Sequence, residues 1–386
     1  MENWRIASDY IFDRVKLNFL KRWWLDIDRV SFLLVIGVII FGLIMSTVSS
    51  PYIAKKIGVE KFFFIKKQIV FSSLAIIVLI IISFFNIDQI KAISMIGSGI
   101  VLVLLVVVLI FGHETKGAKR WISIWGFALQ PSEFIKPLFL VLNAFLLQRF
   151  SGRKWYVKYG VSGAFFAVTG LLLILQPDFG MTTVLVLLWL AQLFIFGLSL
   201  SLIGVISSIG VLGAFCAYLL MPHVANRVDK FLNIDQKNYQ VERSIDAYVN
   251  GGFFGNGPGD GLVKKYIPDA HTDFIFAVVA EEFGVITCLA IMVIFFTLIR
   301  RAIKNAMTKE DMFSYLAIVG LISQFTLQII INIGVSVGLF PTKGMTLPFI
   351  SYGGSSVLAM SLCFGMILAL TKKKYDDQIN YKNIVL

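Results

Sequence analysis

The chain has 386 residues, of which 58% are hydrophobic and only 15% are charged, a balance that excludes a soluble domain of ordinary composition. The net charge of +12 at pH 7 would suit nucleic acid, but the basic residues lie in short connections between apolar runs, as membrane proteins place them. We therefore expect a protein that contacts a membrane and has no nucleic-acid partner.

Apolar runs along the chain predict an all-α integral membrane protein with about ten transmembrane helices. A helix that crosses a bilayer needs about 20 mostly apolar residues, whereas a membrane-spanning barrel would show shorter alternating segments. The expected spans are residues 31–50, 67–86, 91–111, 134–148, 160–176, 180–197, 199–222, 274–299, 313–337 and 355–371.

These spans give one membrane domain between two short ends. Residues 1–30 are expected as a cytoplasmic N-terminal segment, residues 31–371 as a single ten-helix domain, and residues 372–386 as a cytoplasmic tail. Residues 223–273 are expected as a long extracytoplasmic loop between the seventh and eighth helices.

Basic residues predict the orientation in the bilayer. An even number of spans puts both termini on one side, and the basic N-terminal segment with the loops 148–159 and 300–312 favours the cytoplasm for that side. The lysine-rich loop 51–66 argues against this orientation, but three basic segments outweigh one. Functional residues are therefore expected in the loops of the outer face.

The first polar motif is GAKRWISIWGFALQPSEFIKP at 117–137. Pro131 is typical of the first turn of a helix, which brings Glu133 and Lys136 one turn apart on it. One interpretation is a structural ion pair between these two side chains. The other is that Lys136, within the membrane boundary, binds an anionic group, with Arg120 as a second cation.

The second motif is QPDFG at 176–180, where Pro177 and Gly180 interrupt an apolar run. Proline, aspartate and glycine are ordinary turn residues, so Asp178 has a structural explanation as a simple turn between two helices. The alternative is that Asp178 is a functional carboxylate at the outer surface of the membrane.

The third motif occupies residues 253–284 and begins with glycines at alternate positions. The glycines imitate a phosphate-binding loop, but no strand is predicted before them, so a flexible loop near a substrate is the better interpretation. Asp273 precedes a predicted span and has the alternative of being a helix N-cap. Glu281 and Glu282 lie in an apolar run, where a charged group is costly unless it has a partner.

The fourth motif is NIGVSVGLFPTKGMTLPFISYGGSSVLAMS at 332–361. Its prolines, glycines and Lys343 interrupt an apolar helix, so this backbone must line protein or a cavity instead of lipid. The serines, among them Ser355, have no histidine in a pattern typical of a nucleophile, and no histidine or cysteine has metal-ligand spacing.

Taken together and in this order, GAKRWI with QPSEFIK, QPDFG, PDAHTDFIF with AEEFG, and PTKGMTLPFISYGGSS resemble the signatures of the SEDS family (shape, elongation, division and sporulation). The resemblance covers residues 31–371, and the last two motifs are more similar to cell-division members than to elongation members. Many members have glutamate where this chain has Lys265 and glutamine where it has Arg243.

This resemblance implies a peptidoglycan glycosyltransferase that polymerises lipid II at the outer face of the bacterial cytoplasmic membrane, with a class B penicillin-binding protein and other division proteins as partners. It implies that Asp273 is the catalytic residue and general base. The substrate-binding residues are then expected to be Arg120, Lys136, Asp178, Lys264, His271 and Lys343. The residues expected to be structural or to tune pKa values are Glu133, Glu281, Glu282 and Ser355.

Elementary chemistry agrees with this implication. Glycan polymerisation needs a base for the acceptor hydroxyl and cations for the departing diphosphate. A divalent cation, Mg or Mn, is compatible with the diphosphate, although no carboxylate cage is visible. The alternatives are a lipid II flippase, an elongation-type polymerase and a non-enzymatic scaffold for division. A transporter would place ionisable groups near the midplane of the bilayer, whereas these motifs cluster at one face.

Overall fold

The structure is a computed structural model that describes residues 19–115, 118–124, 127–220, 222, 225, 229, 239–341 and 344–372. Residues 1–18 and 373–386 and Lys343, for which the sequence makes predictions, lie outside the described residues.

Long helices correspond one to one with the ten expected spans, which confirms the predicted fold class. They are α2 (Arg29–Lys56), α3 (Phe63–Phe84), α4 (Ile87–Phe111), α5 (Pro131–Arg149), α6 (Trp155–Leu175), α7 (Phe179–Ile195), α8 (Leu200–Leu220), α10 (Ile275–Met307), α11 (Met312–Ser336) and α12 (Gly354–Thr371). Two shorter helices, α1 (Phe19–Asp26) and α9 (Tyr239–Gly251), lie outside this set.

Among the described residues, eight helices are long and apolar enough to cross a membrane, and α5 and α7 do not reach that threshold. The helix α7 has only 17 residues, and α5 carries Glu133 and Lys136 in its buried surface. Because α5 is largely enclosed by other helices, its surface does not have to be as apolar as one that contacts lipid. The chain is an integral membrane protein.

Contacts between connections fall into two sets, one at each end of the helix bundle. Connections that follow α4, α6, α9 and α11 meet one another, as in the bond from Arg120 to the Pro177 carbonyl and that from the Tyr352 amide to the His271 carbonyl. At the other end, Arg301 pairs with Asp28 at 2.5 Å. Successive long helices that alternate in direction place their connections at the two ends in turn. The two sets of contacts therefore agree with ten helices that cross the bundle in alternating directions.

A small antiparallel sheet fills the connection between α4 and α5. Its strands are β1 (His113–Thr115), β2 (Ala118–Ile124) and β3 (Phe127–Leu129), in the order β1-β2-β3. The sequence predicts only a loop here. Aromatic and β-branched residues of β2, such as Trp121 and Ile122, favour strands, and the sheet fixes the position of Arg120 within β2.

The expected long loop 223–273 also contains regular structure. The helix α9 packs against the start of α10, where Gly251 lies against the backbone of Ala280. A side chain at residue 251 would overlap that backbone, so the close approach of the two helices requires glycine. A single 3-10 turn follows at Val263–Tyr266. Residues 239–273 of this connection are therefore a packed element of the protein.

The centre of the bundle is formed by α11 and α12. In the most apolar 18-residue window of α12, 83% of the residues are buried, compared with none in α8 at the periphery. Aromatic rings of Phe325, Phe349 and Phe364 pack edge to face between these central helices. The connection between α11 and α12 contains the fourth motif, so this rigid centre supports one wall of the site.

Candidate active site

Asp273 lies in the turn immediately before α10 and is partly exposed. The N-cap position of α10 is Phe274, whose side chain forms no capping bond. The alternative that Asp273 is a plain N-cap is therefore wrong. A Cβ atom at Gly344 would lie 3.1 Å from Oδ2 of Asp273, so the carboxylate rests against the glycine of the fourth motif. The structure thus brings the third and fourth motifs together.

The fourth motif, residues 332–361, also binds the backbone of residues 271–273 (His-Thr-Asp, the HTD segment). The carbonyl of His271 accepts from the Tyr352 amide at 2.8 Å, that of Thr272 accepts from Ser351 Oγ at 2.5 Å, and that of Asp273 accepts from Asn332 Nδ2 at 2.9 Å. Asn332 and Ser351 were not predicted as site residues. A signal for Asn332 was present, because an amide in an apolar run is costly unless it is hydrogen-bonded.

His271 is enclosed by two aromatic rings, those of Phe64 and Tyr352, whose centroids lie 5.1 and 5.2 Å from its own. Burial lowers the pKa of His271 to about 4, although Asp269 acts in the opposite direction. Its imidazole is therefore neutral at pH 7. Nδ1 is buried and has no hydrogen-bond partner among the described residues.

Arg120 of the first motif lies beside Asp178 of the second motif. Nη2 of Arg120 donates to the Pro177 carbonyl at 2.6 Å, and its Nε lies 3.7 Å from Oδ2 of Asp178. Asp178 also caps α7, because its Oδ1 accepts from the Met181 amide at 3.3 Å. Asp178 therefore both stabilises the turn before α7, as one interpretation predicts, and lies where it orients Arg120.

Glu133 and Lys136 form a buried ion pair one turn inside α5. Nζ of Lys136 lies 2.8 Å from Oε2 of Glu133, and the two side chains are 1% and 7% exposed, respectively. Pro131 stands in the first turn of this helix, as predicted. The geometry matches the structural alternative, since each charge compensates the other in a place where water is scarce.

Glu281 and Glu282 bind the glycine-rich loop. Glu281 accepts from the amides of Val263 and Lys264 at 2.7 and 2.8 Å, and Glu282 accepts from the Gly259 amide at 2.5 Å. Glu282 also forms an ion pair with the buried ammonium of Lys264. These bonds correct the prediction of a flexible loop, because its backbone donors are bound to carboxylates at the start of α10.

Ser355 connects the first turn of α12 to the sheet. Its Oγ accepts from the Gln130 amide at 3.0 Å and donates to the Ala128 carbonyl at 3.3 Å. Such a bond from α12 to the start of α5 matches the expected structural role. Arg243 pairs with Asp246 at 2.8 Å, and Lys265 is partly exposed on the 3-10 turn.

In the part of the chain that the structure describes, no group of three or more His, Cys, Asp or Glu side chains could hold a metal ion. The donors among the described residues therefore do not fit a metal held by protein ligands alone.

Comparison with known proteins identifies the family. The sequence pattern of the family FtsW/RodA/SpoVE, described as "Cell cycle protein", matches residues 28–376. The chain belongs to this family. The predicted resemblance is thereby confirmed, and it extends over all ten long helices of the FtsW/RodA/SpoVE domain.

Relatives and solved structures agree with this membership. The chain is 38% identical over 372 residues to "Probable peptidoglycan glycosyltransferase FtsW" of Caulobacter vibrioides, which covers 95% of each protein. It is similar to a chain from "Structural coordination of polymerization and crosslinking by a peptidoglycan synthase complex", with a TM-score of 0.76 and 25% identity over 92% of this chain and 100% of that one. RodA of Thermus thermophilus gives a TM-score of 0.68 and 25% identity over 92% of this chain and 99% of that one.

Proposed function

We propose that this FtsW/RodA/SpoVE member is a peptidoglycan glycosyltransferase that polymerises lipid II for septal wall synthesis in cell division. The enzyme class expected from the sequence agrees with the name of the Caulobacter relative, which is 38% identical over 95% of this chain. The observation that carries the proposal is the Asp273 carboxylate, which lies against Gly344 one residue before the N-cap position of α10.

Asp273 is the general base in this proposal. Its carboxylate takes the proton from the 4-hydroxyl of the acceptor sugar as that oxygen attacks C1 of the donor sugar. A new C–O glycosidic bond forms, the bond from C1 to the diphosphate oxygen breaks, and the lipid diphosphate leaves with the electron pair. The proton then passes from Asp273 to water, which reaches this partly exposed residue.

Arg120 is the cation that we assign to the diphosphate. Its side chain is 27% exposed, and a guanidinium has five N–H donors in a planar fork. The bond to the Pro177 carbonyl uses one of them, and Asp178 orients the group. Fixed cations placed where negative charge develops often accelerate a reaction more than any other single effect.

Lys136 and Lys264 hold less accessible charges. Each ammonium is paired with a buried glutamate, Glu133 or Glu282, so we assign both lysines to fixing the walls of the site. His271 is neutral at pH 7 and in this proposal offers a hydrogen bond to the sugar. Lys343 stays a predicted diphosphate ligand outside the described residues.

We place the Asp273 end of the bundle at the outer face of the cytoplasmic membrane, with both termini in the cytoplasm. The positive-inside distribution supports this orientation. A class B penicillin-binding protein is the partner we propose, supported by the similarity to a chain of a peptidoglycan synthase complex in which polymerisation and crosslinking are coordinated. Association with other division proteins and a divalent cation beside the diphosphate stay predictions.

The deciding experiment is polymerisation of purified lipid II by the reconstituted full chain, with and without its transpeptidase. Asp273→Asn is expected to make no polymer while remaining folded. Asp269→Asn is a matched control, since Asp269 lies in the same turn at φ 54°, a conformation that asparagine tolerates well. Normal polymer from Asp273→Asn would contradict the proposal.

The flippase alternative has a separate outcome. In proteoliposomes, movement of labelled lipid II across the bilayer without polymer would favour transport over synthesis. The elongation-type alternative has only the similarity to RodA behind it, at 25% identity. The cell-division role is supported by the greater sequence identity to the FtsW relative of Caulobacter.

A further inference from the structure

The backbone around Asp273 is held in an unusual way. Three successive carbonyl groups, those of His271, Thr272 and Asp273, each accept a hydrogen bond from a residue far along the chain. Two of the donors are side chains, Ser351 Oγ and Asn332 Nδ2. The turn that carries Asp273 is therefore fixed by groups of other elements as well as by its own turn bonds.

Asn332 connects two walls of the site through one amide group. Nδ2 donates to the Asp273 carbonyl at 2.9 Å and to the Met345 carbonyl at 2.6 Å. An asparagine Nδ2 has two protons, so both are used. Since Met345 follows Gly344, against which the Asp273 carboxylate rests, the same amide sets the distance between the carboxylate and its facing wall.

Ser351 makes a second connection of the same kind. Its Oγ donates to the Thr272 carbonyl at 2.5 Å and accepts from the Leu347 amide at 2.8 Å. The hydroxyl thus joins Thr272 to Leu347, as Asn332 joins Asp273 to Met345. Asn332 and Ser351 are 1% and 0% exposed, so neither side chain lies where it would contact substrate.

We propose that Asn332 and Ser351 are positioning residues that hold the Asp273 carboxylate in its catalytic orientation against Gly344. The proposal rests on the proposed function, because it assigns them an effect only through Asp273. A base must lie within hydrogen-bond reach of the proton that it removes, and a displacement of about 1 Å can reduce a rate by about 10²-fold. Loss of either connection frees the turn to move by such a distance.

The test compares Asn332→Leu, which removes both donors in a similar volume, with Ser351→Ala and Ser351→Thr in the reconstituted full chain. We expect kcat for lipid II polymerisation to fall by about 10²-fold in Asn332→Leu and Ser351→Ala, with KM changed less than about twofold. Ser351→Thr keeps the hydroxyl and is expected to restore most of kcat.

A matched control separates positioning from general stability. Asn143 is buried and its amide is bonded to Gln192 and Ser162, away from the HTD turn. Asn143→Leu therefore also removes a buried amide, and we expect it to lower thermal stability without the selective loss of kcat. Equal kcat losses in Asn143→Leu and Asn332→Leu would overturn the positioning role.

The remaining outcomes distinguish the two proposals. If Asp273→Asn is inactive while Asn332→Leu and Ser351→Ala retain wild-type kcat, the positioning role is wrong and the proposed function stands. If Asp273→Asn polymerises lipid II normally, the proposed function fails, whatever the variants of Asn332 and Ser351 do.

Discussion

Arg120 and Asp178 lie beside each other although they belong to distant parts of the chain, with Nε of Arg120 at 3.7 Å from Oδ2 of Asp178. The guanidinium is also fixed to the neighbouring Pro177 carbonyl at 2.6 Å. A cation that is held in this way at the Asp273 end of the bundle is preorganised, so it can stabilise developing charge without rearrangement.

The first prediction concerns Arg120. Arg120→Lys keeps the charge but loses the planar fork that binds phosphate with two parallel bonds. We expect the polymerisation rate from lipid II to fall by about 10²-fold, measured as kcat and KM on the reconstituted protein. Lys119→Ala, one position earlier on β2, is the control and should stay near the wild-type rate. An unchanged rate in Arg120→Lys would remove Arg120 from the diphosphate site.

The second prediction concerns the buried pair of Glu133 and Lys136. Removing one partner leaves the other charge without compensation, so Lys136→Met should lower the free energy of unfolding by about 3–5 kcal/mol. The double variant Glu133→Gln with Lys136→Met should recover most of that loss. Thermal unfolding in detergent measures both effects.

Activity of the double variant then decides between the two interpretations of Lys136. A stable and active double variant would mean that the pair is structural. A stable but inactive one would assign Lys136 a direct part in lipid II polymerisation, since stability would no longer explain the loss.

The third prediction concerns the carboxylate that binds the glycine-rich loop. Glu282→Leu leaves the buried ammonium of Lys264 and the Gly259 amide without their acceptor. We expect faster hydrogen exchange of the amides at 257–266, because local opening then requires less free energy. The double variant with Lys264→Met should partly reverse the effect. Unchanged exchange in Glu282→Leu would mean that the loop is held by other contacts.

The helices were predictable from the sequence for a simple physical reason. A bilayer imposes long apolar runs, and each run became one helix, even α5 with its buried Glu133 and Lys136. The sheet was missed because β1 and β3 have three residues each, too few for a periodic pattern. The helix α9 in the connection between α8 and α10 was missed because its sequence lacks a long apolar run and its position depends on packing against α10 through Gly251.

Much less of the site could be predicted. The motifs named Asp273, Arg120 and Asp178 but did not reveal which side chains meet, because the contacts join residues from distant parts of the chain. Nor could the sequence show that Phe274, and not Asp273, occupies the N-cap position of α10. Asn332 and Ser351 lie inside apolar or irregular runs, where their bonds to the HTD carbonyls become visible only in three dimensions.

The last prediction is a pH dependence that arises from His271. Burial lowers its folded-state pKa to about 4, below the value of about 6.5 expected in the unfolded chain. The unfolded state therefore binds the proton first as the pH falls. The stability linked to neutral His271 is fully present above pH 6.5 and decreases between pH 6.5 and 4, with a slope that approaches about 1.4 kcal/mol per pH unit.

Melting temperature measured from pH 8 to pH 4 in detergent tests this dependence. Many carboxylates also titrate in the acid range, so the informative quantity is the difference between the wild-type chain and His271→Gln, which is neutral at every pH. The melting temperature of His271→Gln should fall less steeply below pH 6.5. Parallel curves for the two proteins would mean that His271 is protonated equally easily in the folded and unfolded states, which contradicts its enclosure by Phe64 and Tyr352.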